Sequence, residues 1–409
     1  MTKRAVNDIS LKSVADAIRE RLGAPSSYPL WFPDGFVSAV EGIPKGVTEA
    51  EWKDVVFIDY DGTVLYSYTL EELQALTELP PLPSHDGLIC QEWNWTLADI
   101  KALNRAVTVG ANYITDDGAT RLCICIPTPY RKTVPLYFKQ NVANGVTINW
   151  GDGSNTETLS GTGVVNTSHE YAQPGDYVIS LLPLNNCNLN LTADDSSICV
   201  LGKYSGEGRA YVSMLQRVYL GKNIDSSGDY SFRNCWGLKA VTIPSNFKYY
   251  GVSMFHDCRS LKSLVVSKGI GYVGYNVGYN CMGMRSISFP NEIGSKINSN
   301  TFYFGYSLQA FTIPDSMTSI TNGFFTHCES LAYIKIPAGV TSVGAEAFRN
   351  CYGLKVIDFT SCTSIPTLSN TNALDGLSSD CEIRIPSSLY SGWIAATNWS
   401  NHASKIVGW

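Results

Sequence analysis

Any chemistry in this chain would have to come from its carboxylates, histidines and thiols. Asp59 and Asp61 follow an apolar run, Val55-Val56-Phe57-Ile58, and precede Gly62-Thr63. Paired carboxylates at the end of a strand are one setting for nucleophilic and acid–base work. A second acidic pair lies in Thr115-Asp116-Asp117-Gly118 between two strand-like runs, which reads as a hairpin turn. The five histidines, His85, His169, His256, His327 and His402, fall singly, with no second ligand at metal spacing. Asp152 lies in Gly151-Asp152-Gly153-Ser154, where capping its own turn accounts for it better than a Ca²⁺ site. No G-x-S-x-G occurs, and the β-rich half offers no carboxylate pair suited to glycoside hydrolysis. None of the twelve cysteines sits at C-x-x-C spacing. The expectation is a protein that is not an enzyme and has no catalytic residues, no metal and no cofactor.

The elements that position these residues follow from a repeat. Aligned on one small residue, the copies fall at Val212, Cys235, Cys258, Cys281, Gly305, Cys328 and Cys351, every step being 23 residues except one of 24. Three residues later comes Leu215, Leu238, Leu261, Met284, Leu308, Leu331 or Leu354. An alternating apolar pair follows, Val218/Leu220 in the first copy, then Val241/Ile243, Leu264/Val266, Ile287/Phe289, Phe311/Ile313, Ile334/Ile336 and Ile357/Phe359. Alternation over so few residues predicts a short strand with one buried face, and the fixed pitch predicts a solenoid. The cysteine column then faces the interior, where a buried free thiol serves as a small apolar side chain.

At 409 residues the chain exceeds what one core serves, so several domains are expected. Residues 1–45 read as a helical attachment element with an apolar stripe at Leu11, Val14, Ile18 and Leu22. Residues 46–126 read as an α+β module with helices starting after Thr69 and Thr96. The Pro-rich stretch 127–135 reads as a linker leading into a small β-sandwich, 127–199. The solenoid spans 200–372, and 373–409, with Tyr390, Trp393 and Trp399, reads as its cap. The fold class is thus multidomain and mainly β.

A net charge of −6 argues against nucleic acid as the main partner, and no apolar run has the length of a membrane helix. The N-terminal stretch shows no apolar signal-peptide core, which predicts folding in the cytoplasm.

Three stretches resemble known families. Ile336-Pro337-Ala338-Gly339-Val340-Thr341-Ser342-Val343-Gly344 with Ala347-Phe348-Arg349-Asn350-Cys351 resembles the BspA-like class of leucine-rich repeats, from which Gly278 and Gly305 depart. Trp150-Gly151-Asp152-Gly153-Ser154, with His169-Glu170-Tyr171 and Pro174-Gly175-Asp176-Tyr177, resembles a polycystic-kidney-disease-type (PKD) immunoglobulin-like domain. Ser13–Arg19 and Phe32–Phe36 are similar to leader segments of minor structural proteins of phages of Gram-positive gut bacteria. Together they imply a non-enzymatic virion protein, tail-tip or fibre-like, whose solenoid adheres to the host surface. A bacterial cell-surface adhesin is the alternative. Val55–Leu65 also resembles the first motif of haloacid-dehalogenase phosphatases, which would make Asp59 the nucleophile and Asp61 the acid/base with Mg²⁺. Too few residues precede the linker for that fold's parallel sheet, and Asp-Tyr-Asp-Gly-Thr reads as a turn.

Binding residues are sought on the outward columns of the solenoid. The position after each buried Leu or Met holds Lys239, Lys262, Arg285 and, further on, Lys355. Such a stripe keeps a sheet soluble and, stacked, would also attract a polyanion such as teichoic acid or an acidic capsule. Tyr249, Tyr272, Tyr275, Tyr303 and Tyr306 form a second candidate surface for sugars or protein, or pack between repeats. The expected partners are other virion proteins at the N-terminus, bacterial surface carbohydrate or protein at the solenoid, and sister copies in a homo-oligomer, with no nucleic acid and no membrane insertion.

Overall fold

The computed structural model describes residues 54–128, 132–184, 186–203, 208–294 and 296–409. The expected attachment element, 1–45, lies outside them.

The first unit is an α+β module. Strands β1 (Val55–Ile58), β2 (Val64–Tyr68), β3 (Leu88–Trp93) and β4 (Val107–Thr115) form one sheet in the order β2-β1-β4-β3. β1 pairs antiparallel with β2 and parallel with β4. Helix α1 (Leu70–Ala75) starts at Thr69, whose side chain accepts from the Glu72 amide while Glu72 reaches back to the Thr69 amide. Helix α2 (Leu97–Leu103) starts at Thr96, whose hydroxyl accepts from the Asp99 amide and donates to the Asp99 carboxylate. Leu73, Ile100 and Leu103 pack with Phe57, Trp93, Trp95 and Tyr113 into a core of their own.

The chain then leaves this sheet. β5 (Thr120–Ile126), which the sequence places at the end of the 46–126 module, does not pair with β4. It pairs antiparallel with β10 (Gly175–Pro183) and with the first solenoid strand. The Thr115–Gly118 turn is therefore not a hairpin but a crossing point, in which Gly118 takes a φ of 80°. Alternation shows which face of β5 is buried, here Leu122, Ile124 and Ile126, but not its partner.

A two-sheet unit follows. β6 (Thr133–Gln140) begins inside the stretch read as a linker and lies between β9 (Gly163–Glu170) and the short β11 (Leu189–Asn190). Across from it lie β5, β10, β7 (Val146–Asn149) and β8 (Glu157–Thr158). Val134, Leu136 and Phe138 meet Leu122, Ile124, Ile148, Ile179 and Leu181 in one core, which continues without a break into the solenoid. A small ribbon, β12 (Ile198–Cys199) and β13 (Gly202–Lys203), leads to the repeats.

All but one of the repeats supply a long-face strand, and most add a shorter one. The long face holds β14 (Leu215–Tyr219), β15 (Ala240–Thr242), β17 (Ser263–Val265), β19 (Ser286–Ser288), β21 (Tyr333–Lys335), β23 (Val356–Asp358), β25 (Glu382–Ile385) and β26 (Ile406–Gly408). The short face holds β16 (Tyr249–Tyr250), β18 (Tyr272–Val273), β20 (Ser319–Ile320), β22 (Ser342–Val343) and β24 (Thr367–Leu368). Neighbouring repeats pair in parallel with no slip, for example Ile334↔Ile357↔Ile383↔Ile406. The strand expected at Phe311/Ile313 does not form. There the Thr312 hydroxyl and the Ile313 carbonyl bond instead to Ala106 and Arg105 of the module.

The module lies across the long face. Asn94, fully buried, donates to the carbonyls of Val266 and Ser288 at 2.9 and 3.1 Å and accepts from the Gly110 amide at 2.8 Å. Asn112 donates to the Ile243 carbonyl, and the Tyr113 amide to the same oxygen. A Cβ on Gly110 would stand 2.5 Å from both Val265 methyls, so only glycine permits this approach.

Candidate functional site

The Asp59 carboxylate, at the end of β1, is spent on structure. Its two oxygens accept from Tyr113 Oη at 2.6 Å and from the Tyr60 amide, and bond His85 Nε2 at 2.7 Å. Asp61 caps the Thr63 amide in a turn whose Gly62 has a φ of 88°. β1 is parallel to β4 alone, and this turn joins it to the antiparallel β2, so the module's sheet is not the doubly wound parallel sheet that a dehalogenase-type site requires. Asp152 likewise caps Ser154 at 3.0 Å and bonds His169 Nε2 at 2.7 Å, while His169 stacks on Trp150. Hydrogen bonds from Ser154 above all, and then His169, hold the Asp152 carboxyl at about 2. Among the described residues no group of His, Cys, Asp or Glu is placed to hold a metal.

The cysteine column faces inward, and all its thiols are free. Cys258 Sγ donates to the Phe232 carbonyl at 3.1 Å, Cys281 to Phe255 at 3.0 Å and Cys351 to Phe325 at 2.9 Å. Each thiol thus satisfies a carbonyl of the preceding repeat. Burial pushes the Cys235, Cys258, Cys281, Cys328 and Cys351 thiols up, away from the reactive thiolate.

The outward residues of the long face, where a ligand was sought, are largely covered. Thr242, Val265 and Ser288 lie buried under the module. Further along the same column, Val407 is exposed and Lys335 and Arg384 are half-buried, while Asp358 is buried and accepts from Tyr333 Oη and Lys335 Nζ; Tyr333 and Trp409, 40% and 61% exposed, border the column. There the Arg384 guanidinium stacks on the Trp409 ring at 4.1 Å. The repeat pattern gave no sign of this pair, since Trp409 stands beyond the last strand.

The basic column does stack: the Lys262 amide donates to the Lys239 carbonyl at 3.3 Å and the Arg285 amide to that of Lys262 at 2.9 Å. Gln309 then continues the ladder and interrupts the charge. Lys355 stands apart and pairs with Asp380 at 2.7 Å.

The tyrosines divide into two sets. Tyr249 and Tyr272 stack at 4.9 Å on neighbouring short strands, and Tyr249 and Tyr275 are 39% and 49% exposed. Tyr303 and Tyr306 belong elsewhere, with Tyr279, Phe304 and His327 on the turns. Tyr306 is buried there and packs with Met282 and Tyr352. Packing between repeats accounts for it.

With this geometry in place, the family model described as the BspA-type leucine-rich repeat region matches residues 185–295 and 295–392, about half of the chain, in six copies. The chain belongs to the BspA-type leucine-rich repeat family. Comparison with the curated proteins gives no match. Among solved structures, a leucine-rich repeat protein of T. pallidum is 24% identical, with a TM-score of 0.32, over 35% of this chain and 66% of that one. A leucine-rich repeat protein of Bacteroides ovatus is 16% identical, with a TM-score of 0.32, over 58% and 70%. A leucine-rich cell surface protein of Faecalibacterium prausnitzii is 19% identical, with a TM-score of 0.22, over 43% and 68%.

The two departures from the BspA-type pattern have local explanations. At Gly278 the missing side chain leaves room for the Phe302 ring, whose Cδ1 lies 3.1 Å from where a Cβ would be. That ring then packs with Phe289, Phe311 and Phe324. Gly305 gives similar room to Cys328 Sγ, at 3.3 Å.

Proposed function

We propose that this BspA-type chain is a non-catalytic adhesion protein of the bacterial cell surface, holding its solenoid out to a carbohydrate or protein partner. Family membership supports a repeat scaffold used for binding, and the surface role extends to this chain the printed description of its F. prausnitzii neighbour. The observation that carries the reading is the uncovered aromatic surface. With the module occupying the long face, Tyr249, Tyr272 and Tyr275 stand on the short face of a rigid stack, where contact residues lose little entropy on binding.

In this reading the units divide the labour. The two-sheet unit is a PKD-type immunoglobulin-like spacer, supported by the meeting of Trp150, His169 and Tyr171. Residues 373–409 cap the solenoid: Trp393 and Trp399 are buried against Phe359, each at 5.4 Å. Residues 1–45 serve attachment, and the chain acts as a homo-oligomer.

A phage virion role is the second reading, favoured by the resemblance of Ser13–Arg19 and Phe32–Phe36 alone. Immunogold labelling of intact cells and of purified particles separates the two. Gold on cell surfaces is expected. Gold confined to particles would select the virion, and gold confined to the cytoplasm would contradict both.

A further inference from the structure

We propose that Tyr249, Tyr272 and Tyr275 form a platform for a neutral, hydroxyl-rich sugar chain, with the Asp229 carboxylate accepting from its hydroxyls. The inference deepens the adhesion reading and rests on it. Tyr249 and Tyr272 are register partners on adjacent parallel strands, and their rings lie 12° from parallel. Stacking fixes both side chains, so their edges and outer faces are presented without further ordering. Tyr275, three residues beyond Tyr272, adds a third ring and is about half exposed. Pyranose rings offer apolar C–H faces to such rings and hydroxyls around the rim, which need nearby acceptors and donors.

The rim supplies them. Asp229 Oδ1 caps the Val252 amide at 2.7 Å, which fixes the carboxylate, and Oδ2 has no partner among the described residues. Asp229 follows the segment in which Ser226 bridges to Tyr249 and the Ser227 amide donates to the Tyr249 carbonyl at 3.0 Å, so the carboxylate belongs to the turn next to the Tyr249 strand, and burial and its charge both push the Tyr249 phenol up. Asp225 and Lys248 are exposed nearby, with the Lys248 amide on the Asp225 carbonyl, and Lys296 is tied to the Ile270 carbonyl. Two carboxylates and two ammoniums leave no net field for a polyanion. That balance selects a neutral glycan over an acidic one. It also separates this surface from the basic column at Lys239, Lys262 and Arg285.

The test applies the full chain to immobilised neutral oligosaccharides of β-linked glucose, galactose and N-acetylglucosamine, and to uronic-acid and sulfated polymers. Affinity for the best neutral ligand is then measured for three variants checked by thermal melting. Combined Tyr249→Ser and Tyr275→Ser should weaken binding at least tenfold. Asp229→Asn, which keeps the Val252 cap, should weaken it several-fold. Combined Lys239→Ser, Lys262→Ser and Arg285→Ser should leave it unchanged. Binding of acidic polymers alone, neutral binding indifferent to the tyrosines, or no glycan bound would each overturn the proposal. If the chain still bound periodate-treated cells, adhesion would stand while the sugar platform fell. Binding to neither cells nor glycans would remove both.

Discussion

Asn94 and Ser288 hold each other from opposite units of the molecule. Asn94 Nδ2 donates to the Ser288 carbonyl at 3.1 Å, and Ser288 Oγ donates back to Asn94 Oδ1 at 2.9 Å. Ser288 Oγ also lies 2.6 Å from the Thr108 carbonyl, so the contact ties β4 of the module to β19 of the solenoid. Every partner is buried. Asn94→Ala should therefore strand the Val266 carbonyl and the Gly110 amide, the Ser288 carbonyl keeping the Val266 amide, and cost about 3 kcal/mol, since each unsatisfied buried group costs roughly 1–3 kcal/mol. Urea denaturation of the two proteins measures it. A loss below about 0.5 kcal/mol would mean that the two units are not locked together.

Gly110 tests the same contact sterically. Gly110→Ala puts a Cβ 2.5 Å from the Val265 methyls, and β4 must rise off the solenoid. A lower melting temperature is expected, and Val265→Ala in the same chain should restore part of it.

The cysteine ladder makes a prediction about reactivity. Burial holds Cys235, Cys258, Cys281, Cys328 and Cys351 as protonated thiols, so iodoacetamide should leave them unmodified in the native protein. All five should react in denaturant, as mass spectrometry of peptides would read. Half-buried Cys90, Cys123 and Cys125 provide the internal comparison.

This much was legible in the sequence. Alternating residues such as Ile334/Ile336 identified the repeat, its inward thiols and six of the seven expected strands. Thr69 and Thr96 marked the two helix starts, because capping is a local matter of a few side chains. Partners across units were not legible. β5 carries the same alternation whether it pairs with β4 or with β10, and Asn94 looks like any loop asparagine. The outward column Thr242, Val265 and Ser288 reads as a polar-to-mixed exposed face, yet the module buries it. Arg384 and Trp409 meet only because β26 runs beside β25.

Acid stability should register Asp152. Its folded pKa, about 2, lies below the ordinary 3.8, so the carboxylate favours the folded state. That contribution is fully present above about pH 4 and is lost as pH falls through 2. Asp152→Asn should cost about 1 kcal/mol at pH 7, through its bonds to Ser154 and His169, and nearly nothing at pH 2. Equal destabilisation at both pH values would remove the ionic part of the account.

Asp59 should behave as a structural residue. Asp59→Asn leaves the buried Tyr113 hydroxyl and His85 with a weaker acceptor, and a loss of about 2 kcal/mol is expected. No Mg²⁺-dependent phosphatase turnover should be present to lose. Turnover abolished by this change would restore the enzymatic reading.

The central claim is that the module occupies the long face and leaves the short face for a partner. Maleimide labelling of single-site variants of the full chain, mapped by mass spectrometry, tests it directly. Val265→Cys, beneath the module, should label only after denaturation, whereas Tyr275→Cys should label rapidly in the native protein. Rapid native labelling of Val265→Cys would show the long face open and contradict the account.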